Sequence, residues 1–167
     1  MSLNVSATHH QKIIGRVEPI GFPGQQLEAV YARIDTGART SSIWVSAAEP
    51  TEDGQLRVIF FGAGSPHYTG KEYYFTDFDI TAVASSNGQV QERYKIRLSI
   101  KIGGRRIRAR FTLADRSEQV YPVLIGRNVL RGKFIVDVTQ GAAQREIEAA
   151  RSAELQARLH ATKGGQQ

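Results

Sequence analysis

The stretch RIDTGART, residues 33–40, decides how the rest of this sequence is interpreted. Its centre is Asp35-Thr36-Gly37, which follows the apolar run LEAVYARI at 27–34, a pattern typical of a β-strand. A carboxylate placed by a glycine turn at the end of a strand can serve in catalysis, and it can equally belong to an ordinary tight turn. The triplet alone is too short to separate these two interpretations, so the surrounding sequence has to decide.

Length and composition limit the class of protein. The 167 residues suit one domain with its own hydrophobic core. No apolar run approaches the roughly 20 residues that a membrane helix needs, so we expect no membrane partner. The chain has no cysteine, which excludes disulfides, thiol catalysis and cysteine-ligated metal. Residues 1–11 are polar, lack the apolar core of a signal peptide and are expected to be flexible. We expect a cytoplasmic location and leave a removed signal peptide open.

The main domain is predicted to span residues 12–139 and to be built mostly from strands. Apolar and β-branched runs separated by glycine or proline mark these strands. The predicted strands are KIIGRVEPI at 12–20, LEAVYARI, LRVIFF at 56–61 and KFIVDV at 133–138, and VLIGRNVL at 123–130 predicts a strand, a glycine break and a short helix.

The strongest local pattern is a hairpin around Gly103-Gly104. Residues alternate between apolar and polar on both sides of this turn, which indicates two strands with one buried face. The predicted inward side chains are Tyr94, Ile96, Leu98, Ile100, Ile102, Ile107, Ala109, Phe111 and Leu113, and the predicted outward ones include Arg106, Arg108, Arg110 and Thr112. Net charge is +6, and this hairpin carries much of the excess on its outer face. Because its aromatic residues point inward and cannot stack on bases, the pattern argues against a nucleic-acid partner.

Two further elements flank this hairpin. Asn87-Gly88, within TAVASSNGQVQERY at 81–94, is the preferred dipeptide of a type I′ hairpin turn. Residues 140–167 form a C-terminal segment in which 144–161, without glycine or proline, predicts a helix with Glu154 and Arg158 as an i,i+4 pair. The apolar face of this helix is thin, which predicts light docking or a tail.

The two motifs together resemble the retropepsins, the single-domain aspartic proteases of retroviruses. Those enzymes place Asp-Thr-Gly-Ala early and Ile-Ile-Gly-Arg-Asn late, and this chain has Asp35-Thr36-Gly37-Ala38 and LIGRN at 124–128 in the same order. RIDTGARTSSI, SSNGQVQERY and GRNVLRGKFIVDV are still more similar to a bacterial retropepsin-like family often labelled ATP-dependent zinc proteases. The resemblance implies an all-β fold, a closed retropepsin-like barrel, with a C-terminal helix.

The same resemblance implies roles for individual residues. Asp35, Thr36 and Gly37 would form the catalytic loop, and one such loop per chain requires a homodimer that acts on a peptide or protein substrate. Substrate would contact Ala38, Arg39 and a flap tipped by Ser86, Asn87 and Gly88, although an ordinary exposed turn fits that hairpin equally well. Structural support would come from Ile125, Gly126, Arg127 and Asn128.

This sequence departs from the viral pattern around the loop. Arg39 occupies the position of the acidic residue that pairs with the Gly-Arg-Asn arginine, so Arg127 is expected to find another acid, Glu18 or Asp137. Arg33 replaces an apolar residue and, if it or Arg39 faces the site, would favour an acidic peptide. The zinc label finds no support, because the four histidines have no metal-ligand spacing and no phosphate loop indicates ATP. We therefore expect no metal and no cofactor.

Three hypotheses follow from the sequence. The first is a homodimeric aspartic endopeptidase. The second is a non-catalytic retropepsin-like module that binds a peptide or partner protein, because fold does not fix function. The third is a nucleic-acid-binding β domain that uses the basic hairpin.

Overall fold

The computed structural model describes residues 10–84 and 87–165, and the structural statements below concern those residues. The elements are β1 (Lys12–Ile14), β2 (Val17–Phe22), a 3-10 helix (Pro23–Gln25), β3 (Leu27–Ile34), β4 (Ser41–Pro50), β5 (Leu56–Phe60), β6 (Glu72–Phe75), β7 (Phe78–Ala84), β8 (Val90–Ile102), β9 (Arg105–Ala114), β10 (Val123–Ile125), α1 (Arg127–Leu130), β11 (Phe134–Val136) and α2 (Arg145–Gly164).

Six strands close into a barrel. The hydrogen-bonded order runs β10, β3, β2, β8, β9 and β4, and the ring closes because β10 pairs with both β3 and β4. Strands β5 and β6 extend the sheet from β4, and β7 pairs with β8. The closed β-barrel and the C-terminal helix confirm the fold class predicted from the sequence. The sequence-based assignment had no strand for β4 or β6.

The hairpin of β8 and β9 supplies much of the barrel core. Ile102 lies opposite Arg105, so Gly103 and Gly104 form the predicted two-residue turn, with φ angles of 55° and 78°. The predicted inward side chains from Ile96 to Leu113 are buried. Thr112 was predicted to face outward, which is wrong: it is buried, because β4 joins this end of β9 and the Thr112 hydroxyl donates to the carbonyl of Ser41 at 3.3 Å.

The single strand predicted over 12–20 is two strands in different sheets. β1 pairs in parallel with β11, whereas β2 pairs with β3 and β8 inside the barrel. The break lies at Gly15, where a Cβ atom would come within 2.2 Å of the Gln140 carbonyl group. The N–H of Arg16 donates to that carbonyl at 3.0 Å, so a distant segment sets this corner.

The hairpin of β7 and β8 differs from its predicted turn. A two-residue turn at Asn87-Gly88 would place Ala84 opposite residue 91, but Ala84 lies opposite Val90. The strands are therefore joined by the residues 85–89, and the type I′ prediction is wrong by one residue in register. Ser86, predicted at the flap tip, lies outside the described residues.

Helix α2 docks through polar contacts. Glu148 accepts hydrogen bonds from Arg16 at 3.1 and 3.2 Å and from Tyr121 at 2.5 Å. Arg151 donates to the carbonyl groups of Ser117 and Glu118 at 2.9 and 3.2 Å. The apolar side chains of Ile147, Leu155 and Leu159 stay 39–53% exposed, and Glu154 and Arg158 form the predicted pair at 3.2 Å. No helix in the described part of the chain is long and apolar enough to cross a membrane.

Candidate active site

Asp35 lies immediately after β3, where two strands end side by side. Ile34 pairs with Ile125 in the parallel ladder of β3 and β10, and the Asp35 N–H donates to the Ile125 carbonyl at 2.9 Å. Because parallel strands finish at the same edge of a sheet, this ladder brings Asp35 beside the Gly126 segment. The two sequence motifs, distant along the chain, therefore meet in one place.

The loop after β3 fixes one oxygen of the Asp35 carboxylate. Oδ1 accepts hydrogen bonds from the N–H groups of Gly37 at 2.9 Å and Ala38 at 3.1 Å. Oδ2 accepts no hydrogen bond from the described residues. Asp35 is half-buried and Thr36 and Gly37 are exposed, so an oriented carboxylate keeps one oxygen open to water or to a ligand.

Gly126 allows the second segment to touch this loop. A Cβ atom there would lie 2.4 Å from the Thr40 carbonyl oxygen and 2.8 Å from that of Ala38, distances that only glycine avoids. The next N–H, that of Arg127, donates to the Ala38 carbonyl at 2.8 Å. The close approach therefore creates a direct hydrogen bond between the two motifs.

Side chains complete the attachment. The Arg127 guanidinium donates to the carbonyl groups of Thr36 at 3.3 Å and Gly37 at 2.8 Å. Asn128 donates to the Arg110 carbonyl at 2.9 Å. The predicted acidic partner of Arg127 is wrong, because Glu18 accepts the Gly15 N–H and Asp137 caps Thr139 and Gln140.

Ser41 is a buried residue that sequence analysis missed. Its hydroxyl accepts the Gly126 N–H at 3.0 Å and donates to the Asn128 side-chain oxygen at 2.8 Å. Ser41 begins β4 and is 0% exposed. One hydroxyl thus joins the strand after the Asp35 loop to both Gly126 and Asn128.

The sequence that builds this site matches a known family. The family model of the retropepsin-like aspartic endopeptidase RimB matches residues 13–146. The chain belongs to the RimB-like family. The match covers the whole barrel, the Asp35 loop and the start of α2, so the resemblance to retropepsins and to their bacterial branch is confirmed.

The curated relatives have a different name, and their chains are longer. A protein of Shewanella halifaxensis named "Probable alpha-L-glutamate ligase" is 32% identical over 133 residues, covering 77% of this chain and 29% of its own. A protein of Desulfotalea psychrophila with the same name is 27% identical over 158 residues, covering 93% of this chain and 34% of its own. The RimB-like chain thus spans about a third of the length of these relatives.

A solved structure shares the fold. The crystal structure of protein Lpg0085 of Legionella pneumophila, described as having unknown function, aligns with a TM-score of 0.61 and 24% identity. It covers 78% of this RimB-like chain and 96% of its own chain. At that identity the likeness concerns the fold alone.

Near the end of the β7–β8 hairpin, the face that continues the barrel interior is exposed. Phe78 lies opposite Ile96, so the apolar faces of β7 and β8 continue the barrel interior. Farther along the same side, Ile80 and Val90 are 58% and 70% exposed. Asn87 and Gly88 lie in the connection, and Gly88 has a φ of 83°. Ala82 and Glu92 lie between Ile80 and Val90 on this face, so the two exposed apolar side chains do not form one continuous apolar patch.

Arginine side chains surround the site. Arg39 is exposed and its carbonyl group accepts the Asn128 N–H at 3.2 Å. Arg33 is exposed on β3 and borders a cavity that also contains Arg116. The sequence did not predict that Arg116 lies near Asp35, because only the folded loop 115–122 brings it there.

The described residues offer no zinc site in this RimB-like chain. They contain no group of three or more His or acidic side chains that could hold a metal ion. Burial lowers the pKa of His67, whose ring packs against Phe61 with centroids 5.5 Å apart. The donor set therefore does not fit the zinc that the family label mentions.

Proposed function

We propose that this chain is one subunit of a homodimeric aspartic endopeptidase in which each subunit contributes Asp35. The observation that carries the proposal is the Asp35 loop, where backbone N–H groups fix one carboxylate oxygen and leave the other open. The chain has one Asp-Thr-Gly sequence, whereas the aspartic protease reaction uses two carboxylates that share a proton. A second subunit supplies the missing carboxylate.

The proposed chemistry follows from that pair. The ionised Asp35 takes a proton from a water molecule, whose oxygen bonds to the scissile carbonyl carbon. The protonated Asp35 of the other subunit donates a hydrogen bond to the carbonyl oxygen as negative charge develops there. Proton transfer to the amide nitrogen then breaks the C–N bond and releases a carboxylate and an amine.

Exposure of the loop supports the dimer. Thr36 lines an open groove of about 590 Å³ together with Arg39, Arg127 and Val136. Ile13 and Ile135 lie opposite each other in the β1–β11 pair and are 53% and 51% exposed. A second copy packed on the Asp35 loop would bring two identical loops to a two-fold axis. Sedimentation at tens of micromolar is expected to give a dimer, and a strict monomer that cleaves peptides would contradict this assembly.

The names of the relatives suggest the substrate class. Proteins named α-L-glutamate ligases contain a segment similar to this chain, and hydrolysis of α-linked glutamate is the opposite of such a ligation. The exposed arginines near Asp35 suit a polyanionic chain. We therefore propose unstructured polypeptide segments rich in glutamate as substrates.

Asp35→Asn tests the proposed mechanism. The amide keeps the side-chain shape but cannot take a proton from water, so cleavage of an unstructured glutamate-rich peptide should fall by about 10²–10⁴-fold or more. The assay compares both proteins across pH, with a chelator and a transition-state-mimicking aspartic protease inhibitor as controls. Chelator-sensitive cleavage that survives Asp35→Asn would contradict the aspartic mechanism. Binding without cleavage by the wild type would support the alternative, a non-catalytic peptide-binding module.

A further inference from the structure

A cationic cavity lies beside the Asp35 loop. Its volume is about 410 Å³, and its lining includes Arg16, Arg33, Ile34, Arg116 and Glu148. Asp35 does not line the cavity, but Ile34, which directly precedes it, does, and the charge of Asp35 acts on Arg116 in the lining. The cavity is therefore within electrostatic range of the Asp35 carboxylate.

The carboxylate of Glu148, which lines the cavity, is already paired with a cation. Glu148 of α2 binds the Arg16 guanidinium through both oxygens and accepts the Tyr121 hydroxyl. These contacts lower the pKa of Glu148, chiefly through the Arg16 hydrogen bond, so it stays ionised near neutral pH. The negative charge of Glu148 is neutralised by Arg16, so Glu148 does not neutralise the other cations of the cavity.

Arg33 and Arg116 are those remaining cations. Among the described residues neither forms an ion pair, and the Nε of Arg116 donates only to the Tyr121 carbonyl at 3.2 Å. Burial lowers the pKa of Arg116 to about 10, with further lowering by the charges of Arg33 and Arg93 and an opposing effect of Asp35. Arg33 is exposed and Arg116 is half-buried, so the repulsion between them is felt mainly by Arg116, and a bound carboxylate would relieve it.

The charge of Asp35 reaches Arg116 even though no hydrogen bond joins them. Arg33, two residues before Asp35, contributes to the same cavity from β3. The two arginines come from separate parts of the chain, the strand before the catalytic loop and the loop 115–122. A planar guanidinium on each side suits a carboxylate, whose two oxygens accept hydrogen bonds in a fork.

We propose that Arg33 and Arg116 form a subsite that binds the carboxylate side chain of the substrate residue flanking the scissile bond. This inference rests on the proposed endopeptidase function, and it names the residues that would select glutamate. The positive charge of Arg93 also acts on Arg116, and the ion pair with Glu148 keeps Arg16 from competing for the ligand.

The test uses binding as well as cleavage. Three unstructured peptides differ only at the residue flanking the cleaved bond, which is Glu, Gln or Lys. Titration calorimetry measures their binding to the Asp35→Asn protein, which cannot consume them. We expect the Glu peptide to bind about tenfold to a hundredfold more tightly than the Gln peptide, the effect of hydrogen bonds to a charged group.

Charge reversal assigns the effect to the subsite. Arg33→Glu in the Asp35→Asn background should abolish the preference for Glu and improve Lys binding, while Gln binding changes by less than about threefold. Arg116→Gln should weaken the preference for the Glu peptide over the Gln peptide. Circular dichroism checks that this variant is folded. Arg108→Glu on the exposed outer face of β9 changes net charge equally and should leave the preference intact.

Two outcomes would overturn the subsite. One is equal binding of the Glu and Gln peptides to the Asp35→Asn protein, and the other is a Glu preference that survives in both arginine variants. A Glu preference in binding, combined with no cleavage by the wild type, would remove the endopeptidase proposal and leave the carboxylate subsite in place. The two proposals therefore fail separately.

Discussion

Ser41→Ala should destabilise the protein far more than its size suggests. The Ser41 hydroxyl is buried, accepts the Gly126 N–H at 3.0 Å and donates to Asn128 at 2.8 Å. Alanine leaves the buried Gly126 N–H without a partner, which costs about 1–3 kcal/mol. Asn128 is exposed, so water can replace its lost hydrogen bond at about 1 kcal/mol or less. The expected loss in the free energy of unfolding is therefore about 1–4 kcal/mol.

Urea denaturation at fixed protein concentration measures this loss, because oligomerisation makes apparent stability concentration-dependent. Ser46→Ala is the matched control, since it lies on the same strand β4, is exposed and makes only a 3.5 Å contact with the Ile59 carbonyl. The control should change stability by less than about 0.5 kcal/mol. A Ser41→Ala effect equal to that of the control would refute the assigned hydrogen bonds.

Three further predictions concern other parts of the chain. The folded-state pKa of Glu148 lies below its ordinary value of 4.5. Its stabilisation of α2 is therefore present above that value and is lost as pH falls through the folded pKa. The protection of the α2 amides from hydrogen exchange should fall in acid in the wild type, and in Glu148→Gln it should be insensitive to that titration. Lys101 lies directly opposite Arg106 in the β8–β9 ladder. Lys101→Glu should therefore raise the free energy of unfolding by about 0.2–1 kcal/mol, and this gain should shrink in high salt. An unchanged midpoint of urea denaturation at low salt would contradict this prediction. If the hairpin is a flap, Gly88→Val should lower turnover more than stability, because valine resists a φ of 83°. Equal losses in steady-state kinetics and in thermal unfolding would favour a plain structural turn.

The sequence predicted the elements whose signals are local. Alternation on both sides of Gly103-Gly104 was enough to place the β8–β9 turn and its buried face, because a period of two fixes which side chains face inward. The Asp35 and Gly126 motifs were short, but their order along the chain identified the family. Helix α2 followed from composition, and its observed start at Arg145 is one residue from the predicted one.

Features set by distant contacts escaped prediction. The break between β1 and β2 depends on the approach of Gln140 to Gly15, which no local pattern reveals. Ser41 lies in an unremarkable TSSI sequence, and the available hint was a small polar residue at the start of an apolar strand just after the Asp35 loop. The partner of Arg127 was mispredicted because an acidic side chain was expected, whereas the loop offers two backbone carbonyl groups.

The site separates the positioning of Asp35 from the selection of a ligand. Positioning depends on backbone groups: the N–H groups of Gly37 and Ala38 donate to the carboxylate, and the Arg127 guanidinium donates to the Gly37 carbonyl group. The proposed selection depends on Arg33 and Arg116, which contribute no hydrogen bond to that loop in the described structure. Because hydrogen bonds to the backbone do not depend on side-chain identity, the Asp35 loop can keep its geometry while the cavity beside it changes charge. Under the proposed subsite, substitutions at these two positions would change the preferred substrate without rebuilding the loop that holds Asp35.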